Sequence, residues 1–401
     1  MTSIDEATRL LDENVEALGS TTVPVVDAVG RVLAAPAVSR HPLPRFDQSA
    51  MDGYAVAHAD IVDVPVELTV SDVIPARGHA TRPSLLAGTA TRIFTGGVIP
   101  DGADTVVRQE STTRLADDRV RVDEEVAPGT DVRRLGEELA EGSLLAPPGT
   151  PLTAGLVAAL VIAGVTEVEV RSTPRVAVLV TGDEVVEPGA DLAIGQVPDS
   201  NGPLVAGTLR RWGVEAGSVA RASDEQAGLR AAIEAAAASA DVLITTGGVS
   251  VGDLDLVPSV AEEAGFRPLF WKVAQRPGGP LYVARRGSTW LFGLPGNPAA
   301  VLVNMHVHVR RLLDLLAGTD PERRWRNGIC VDPPAPPEGR TLWLRCRYGT
   351  DEAGAVQLEP LGRQGSHMLS NLVDADALAR IDTAGDPSAG GRVIRWTPLD
   401  H

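Results

Sequence analysis

The chain has 401 residues, 44% of them hydrophobic, and a formal charge of −17. That length suggests two to four domains of about 100–200 residues each. The charge argues against a nucleic-acid partner, whose binding rests on basic patches, and no apolar run approaches the ~18 residues of a membrane span. Cys330 and Cys346, 16 residues apart, are the only cysteines and show no CxxC spacing, so free thiols in a cytoplasmic protein are expected.

In chain order, the stretch from Met1 to Leu18 reads as an amphipathic helix with a Ser3-x-x-Glu6 capping box, not as a signal peptide. After the Pro-rich exit His41-Pro42-Leu43-Pro44, residues 46–132 show short β-rich runs (Val64–Val70, Ala103–Gln109, Arg119–Val126) between Gly, Pro and Asp clusters, as in a small all-β unit. From Asp131 to Arg171 the pattern turns helical, with Pro151-Leu152-Thr153 opening an Ala/Val-rich helix.

An alternation then begins. Strands are predicted at Arg175–Val180, Val214–Arg221, Asp241–Thr245 and Trp290–Gly293, and helices at Gly202–Trp212, Asp224–Ala238, Leu254–Ala264 and Asn297–Leu316. This rhythm predicts a mostly parallel sheet with helices on both faces. The Pro-rich stretch 332–337 and the alternation at Thr341–Tyr348 predict a final small β-domain.

Ligands of open α/β sheets bind outside the carboxyl ends of the strands, and three strand-ending segments carry suitable chemistry. In Thr181-Gly182-Asp183-Glu184, Gly182 permits a tight turn, and the paired carboxylates suit Mg²⁺ with ligand phosphates. In Thr245-Thr246-Gly247-Gly248-Val249-Ser250, backbone amides and the hydroxyls of Thr246 and Ser250 can converge on an anion, with Asp253 and Asp255 to hold a metal or cap the next helix. In Gly293-Leu294-Pro295-Gly296-Asn297-Pro298, an Asn N-cap and a Pro at the first helical position open a helix whose start can face a phosphate or oxyanion. Between two of these loops stands Lys272, the single lysine against 35 arginines, with Arg276 close behind. A compact ammonium and a planar guanidinium are not equivalent toward an oxyanion. The alternatives are a solvated turn, a capping aspartate and a surface lysine. In the last helix His306-x-His308 has a spacing that splits the rings onto different faces, and packing is the expected role.

These residues resemble the MoeA family of molybdopterin molybdenumtransferases, which includes the E domain of gephyrin. The resemblance rests on FDQSAMDGYA (46–55), RIFTGG (92–97), RRLGEE (133–138), TGDE (181–184), DSN (199–201), TTGGVSVGD (245–253), GLPGNP (293–298) and GSHMLSNLVDADAL (365–378). It implies an α/β multidomain chain. A helical and extended linking domain is formed by 1–45 plus 134–173, and a β-rich domain is inserted at 46–133. A MoaB/MogA-like doubly wound molybdopterin-binding domain spans 174–318, and a C-terminal β-barrel 319–401.

The implied reaction joins molybdate to adenylylated molybdopterin with release of AMP, assisted by Mg²⁺, in a homodimer. Asp183 and Glu184, with Asp255 and Asp241, are the implied metal or water-positioning groups. Gly182, Asp199, Ser200, Asn201, Thr246, Gly247, Gly248, Ser250 and Asp253 would hold the pterin phosphate, and the Pro295-Gly296-Asn297-Pro298 turn an oxyanion. Lys272 and Arg276 would wall the oxyanion, and Asp52, Thr95 and Glu138 would complete the site from the other subunit. Further implied partners are the adenylyltransferase that supplies the substrate and the enzymes that accept the cofactor. The chain departs from the family pattern at Arg276-Pro277-Gly278-Gly279-Pro280, where KPGKP is usual, and at Gln48, Glu138 and Ala300. Loss of the two lysines leaves a second reading open, a catalytically weak paralogue that serves as a cofactor-binding scaffold.

Overall fold

The computed structural model describes residues 1–77, 83–115, 118–249, 255–368, 370–382 and 392–399. Three six-stranded sheets organise it. The first lies within residues 53–122, in the order Thr105–Arg108, Gly53–Val56, Thr89–Ile93, Val66–Ile74, Arg119–Val122, Thr112–Arg114. It is the all-β unit that the short strand runs predict.

The second sheet runs Ala216–Ala222, Val176–Thr181, Val242–Thr246, Thr289–Leu294, Tyr282–Arg286, Arg267–Trp271. Its first four strands are parallel. The last two form an antiparallel edge that the alternation does not predict. Val176–Thr181 is buried along its whole length because helices cover both faces. The pleat divides the apolar side chains. Val176, Val178, Val242 and Ile244 enter one core, while Ala177, Leu179 and Leu243 enter the other, beneath the helices Gln226–Ser239 and Val257–Glu263.

The first helix, Ile4–Asn14, is capped by Ser3, whose Oγ accepts the Glu6 N–H at 3.1 Å. Its buried Ile4, Ala7 and Leu11 share one face and join the core of the α/β sheet. Asp12 secures the helix through two hydrogen bonds of 2.7 Å from the buried Arg311. Although it opens the stretch 1–45, the helix therefore packs with the α/β unit.

The Asn297–Leu316 helix is present with an irregularity. Pro298–Asn304 is α-helical, Met305–Val309 forms a π turn, and Arg310–Leu316 resumes the α-helix. Both histidines of the π turn are buried packing groups, as their spacing predicts. His306 meets the Trp212 ring edge-on at 5.2 Å, and burial pushes His308 down to about 3.

The third sheet closes on itself. Thr341–Thr350 pairs with both Val356–Pro360 and Ala377–Ile381, giving the five-stranded C-terminal barrel. A sixth strand, Gln275–Arg276, comes from the α/β segment and pairs with Thr341 and Leu342. Cys330 and Cys346 are buried free thiols in this barrel. Among the described residues no helix is long and apolar enough to cross a membrane.

Candidate functional site

The parallel strands deliver their carboxyl-end loops to one edge, where a cleft of about 290 Å³ opens. Gly182, Glu184, Thr246, Gly247, Gly248 and Asp255 line it from the first two predicted loops, and Gly296 from the third. Asp199, Ser200 and Asn201, the turn that opens the helix Asn201–Arg211, form the remaining wall. Residues separated by more than a hundred positions thus meet in one place.

Local chemistry explains the geometry. Gly247 and Gly248 have φ of +94° and +65°, and a Cβ on Gly247 would lie 2.7 Å from the Thr181 carbonyl oxygen. Glycine is needed there to bring the two loops into contact. The Gly247 amide does not face a ligand, because it donates to the Leu294 carbonyl at 2.9 Å. That corrects the expectation of a free amide at this position: Gly247 stitches the second loop to the third. Asp199 caps the Asn201 helix by accepting the Gly202 N–H at 2.8 Å. Asn201 Nδ2 donates to the Gly296 carbonyl at 2.7 Å. Asn201 Oδ1 and Thr246 Oγ1 are buried and have no partner. Two orphaned oxygens lining one cleft mark it as a place for a hydrogen-bonding ligand.

The acidic side of the cleft contains a residue that the motifs do not single out. Asp224 lies at the end of a fourth parallel strand, Ala216–Ala222, and lines the cleft. The Asp183 N–H donates to Asp224 Oδ2 at 3.2 Å, and the Asp224 N–H to Asp183 Oδ1 at 3.1 Å. Burial holds the Asp224 carboxyl above the usual carboxylate range, and the charges of Asp183, Glu184 and Asp255 push the same way. The sequence signal was available: an acidic pair, Asp224-Glu225, directly after a strand of the same sheet.

Among the described residues, no three acidic, histidine or cysteine side chains are grouped to hold a metal ion by themselves. The donor set is all hard oxygen, and the repulsion recorded at Asp224 is what a cation would relieve. It fits Mg²⁺ that takes one or two carboxylates and completes its shell with water and ligand phosphate.

Other predicted residues lie elsewhere. Asp241 is not brought to this edge, and its catalytic assignment is corrected. It precedes the strand Val242–Thr246, so it sits at the amino end of the sheet, where its carboxylate accepts the Arg175 side chain at 2.8 and 3.2 Å and the Arg175 N–H at 2.9 Å. Lys272 does sit at the carboxyl edge, after Arg267–Trp271, but three strands along from Thr246, roughly 14 Å at ~4.8 Å per strand. It has φ of +65°, and its Nζ lies 4.8 Å from the Trp271 ring centroid. Trp271 Nε1 in turn donates to the Val249 carbonyl at 3.2 Å, so Lys272 is linked indirectly to the glycine loop.

Arg276 is exposed beside the barrel. Behind it the buried Gln275 organises a polar network. Its Nε2 donates to the Gly278 carbonyl and to Asn304 Oδ1 at 2.9 and 2.8 Å. Its Oε1 accepts from Trp343 Nε1 at 3.1 Å and pairs with His308 Nε2 at 3.1 Å. Because an indole N–H only donates, Oε1 is the acceptor and His308 carries its proton on Nε2. Asn297 leaves its helix uncapped by its side chain, and its Nδ2 donates to Ser366 Oγ of the C-terminal segment at 3.3 Å. Pro295 is buried and Pro298 opens the helix. Ser250 and Asp253 lie outside the described residues.

Asp52 and Thr95 meet in the first β-sheet unit, where Asp52 Oδ1 accepts the Thr95 N–H and hydroxyl, both at 2.8 Å. The Thr95 N–H, then its hydroxyl and the Arg92 charge, hold Asp52 below the usual range. Glu138 is exposed, and its N–H donates to the Leu43 carbonyl at 3.1 Å. None of the three lines the cleft.

Comparison with known proteins assigns the whole chain. Residues 2–164 match the family model of the MoeA N-terminal region (domain I and II), 177–314 that of a probable molybdopterin binding domain, and 328–399 that of the MoeA C-terminal region (domain IV). The chain belongs to the MoeA family. A molybdopterin molybdenumtransferase of Haemophilus influenzae is 32% identical over 94% of this chain and 93% of its own. Molybdopterin molybdenumtransferase 2 of Mycobacterium tuberculosis is 36% identical over 99% of both. The crystal structure of the molybdopterin biosynthesis MoeA protein from Pyrococcus horikoshii superposes with a TM-score of 0.84 at 26% identity, covering both chains completely. MoeA membership accounts for the order of the three sheets and for the motifs at the carboxyl edge.

Proposed function

We propose that the chain is a molybdopterin molybdenumtransferase. In this reading it takes adenylylated molybdopterin and molybdate in the cytoplasm, forms molybdenum cofactor and releases AMP. The observation that carries the reading is that one cleft is lined both by Asn201 and Thr246, whose Oδ1 and Oγ1 are buried without partners, and by the acidic residues Glu184, Asp224 and Asp255. One wall offers unused hydrogen-bonding atoms to the pterin and its phosphate. The acidic residues of the same lining give it a negative charge that a phosphate cannot approach unaided.

One or two of the carboxylates Asp183, Glu184, Asp224 and Asp255 would hold Mg²⁺, which would supply charge screening for the phosphoanhydride. Asn201 and Thr246 orient the substrate, the Gly182 and Gly247 turns allow its backbone approach, and the Asn297 helix start meets an oxyanion. Lys272 and Arg276 act farther along the edge, as cations that lower the cost of bringing molybdate into an acidic protein. Asp52, Thr95 and Glu138 complete the site of a second subunit in a homodimer.

The test is to incubate the protein with adenylylated molybdopterin, molybdate and Mg²⁺ and follow AMP. Molybdate-dependent release is expected. Tight binding of the adenylylated pterin without AMP release would overturn the enzymatic reading in favour of a cofactor-binding scaffold.

A further inference from the structure

A second cavity, of about 260 Å³, lies away from the carboxyl edge. It opens where the segments around Arg31 and Arg171 meet the end of the Arg310–Leu316 helix and the turn Pro321–Arg324 that leads into the barrel. Five arginines line it against two aspartates, an inversion of sign in a chain of net charge −17. The aspartates are already engaged. Asp314 accepts from Arg310 at 2.9 Å and from Arg324 at 2.5 Å, and Asp320 accepts the Glu322 N–H at 2.9 Å. Arg31, Arg171 and Arg323 make no ion pair among the described residues.

Arginines near a helix end often serve its carbonyls, but those carbonyls are satisfied here. Leu313, Asp314, Leu315 and Leu316 accept from the backbone N–H of Ala317, Thr319, Gly318 and Leu18 respectively, at 2.8–3.0 Å. Arg31 instead places one Nη2 donor on the Arg171 carbonyl at 2.9 Å, and Arg171 one Nη1 donor on the Leu18 carbonyl at 2.9 Å. Arg323 is exposed at the rim. Each of the three retains guanidinium donors for something else. Three unpaired cations from three separate segments around one cavity repel one another, and a multivalent anion removes that repulsion. Guanidinium forks match phosphate oxygens in a bidentate geometry.

We propose that this cavity binds a phosphate-class oxyanion, held by Arg31, Arg171 and Arg323, and that its occupation ties the N-terminal segments, the α/β unit and the barrel together. The site is separate from the cleft, and its existence does not depend on the transferase reading. A ligand that binds only the assembled joint stabilises the folded protein by mass action.

The experiment is calorimetric titration of the full chain with inorganic pyrophosphate, in chloride buffer of matched ionic strength, alongside thermal melting. Wild type and the charge-matched surface variant Arg230→Gln are expected to bind alike and to melt higher with pyrophosphate. Arg323→Gln, which removes no internal hydrogen bond, and Arg31→Gln are each expected to weaken binding tenfold or more. An ADP arm separates the sources: tighter binding than pyrophosphate assigns the group to a nucleotide, and weaker binding to the free ion. Pyrophosphate affinity unchanged in folded Arg323→Gln and Arg31→Gln overturns the proposal, as does no binding to wild type at millimolar pyrophosphate.

Discussion

Asp183 and Asp224 each donate a backbone N–H to the other's carboxylate, at 3.2 and 3.1 Å. Two loops that end neighbouring parallel strands are thereby clasped, and two negative charges are held close together at the mouth of the cleft. The clasp works against electrostatics: burial first, and then the charges of Asp183, Glu184 and Asp255, raise the Asp224 carboxyl, while the hydrogen bond from the Asp183 N–H opposes them.

A pH dependence follows. A carboxyl whose folded pKa lies above its unfolded value binds more protons in the folded state. Its contribution is therefore fully present below the unfolded value and is lost as pH rises through the raised one. Asp224→Asn keeps an oxygen to accept the Asp183 N–H and removes the charge. It should leave the protein at neutral pH as stable or more so, by less than ~1 kcal/mol at this partly solvated site. The stabilisation by Mg²⁺ expected of wild type should shrink. Thermal melts of both proteins from pH 4 to 8, with and without Mg²⁺, check both effects.

The two-subunit site makes a sharper prediction. Asp52→Ala and Glu184→Ala should each abolish most AMP release. A mixed dimer carrying one of each should regain one working site, in which the intact Glu184 cleft of one subunit meets the intact Asp52 of the other. Co-expression with two different tags, followed by tandem purification and assay, decides it. Inactive mixed dimers would place Asp52 outside the other subunit's site.

Asp241 gives the opposite pattern. Hydrogen bonds from Arg175 hold its carboxyl below the usual range, against the opposing effect of burial. Its stabilisation is thus present above the unfolded pKa and lost as pH falls through the folded one. Asp241→Asn should cost about 0.5–1.5 kcal/mol at pH 7, less at pH 3, because Arg175 is largely exposed. Turnover should stay at the wild-type value. A large fall in kcat without a loss of stability would return Asp241 to the catalytic groups.

Gln275→Ala leaves the Trp343 N–H, the His308 ring and the Asn304 amide short of a buried partner. The expected cost is about 2–4 kcal/mol, from unsatisfied polar groups and a small cavity. Because the same amide holds the Gly278 carbonyl, the segment 276–280 should move as well. Denaturant unfolding measures the first effect, and KM for molybdate the second.

Most of the cleft was legible because strand-ending loops announce themselves through Gly, Asp and Asn, and the rule of carboxyl-end binding supplies the rest. What failed was orientation. Asp241 stands before its strand rather than after it, and strand direction alone places it on the far side of the sheet. Asp224 reads as an ordinary helix-opening acid until the parallel pairing of Ala216–Ala222 with Val176–Thr181 sets it beside Asp183. The edge strands Arg267–Trp271 and Tyr282–Arg286 contain Pro268, Arg285 and Arg286, and they lack the unbroken apolar run of their neighbours. Without them Lys272 appears adjacent to the glycine loop. With them it stands three strands away.

The strand Gln275–Arg276 belongs to one unit by sequence and to the other by pairing. The molecule is thus dovetailed rather than strung like beads. A chain cut at residue 318 would lose the Thr341–Leu342 ladder and the Trp343 donor to Gln275, leaving a raw edge beside the Arg276–Pro280 turn. Exchanging barrels between relatives therefore means exchanging the wall of that turn as well, so a chimera joined after Gly318 keeps the turn only where the incoming barrel supplies a matching ladder and an indole donor for Gln275.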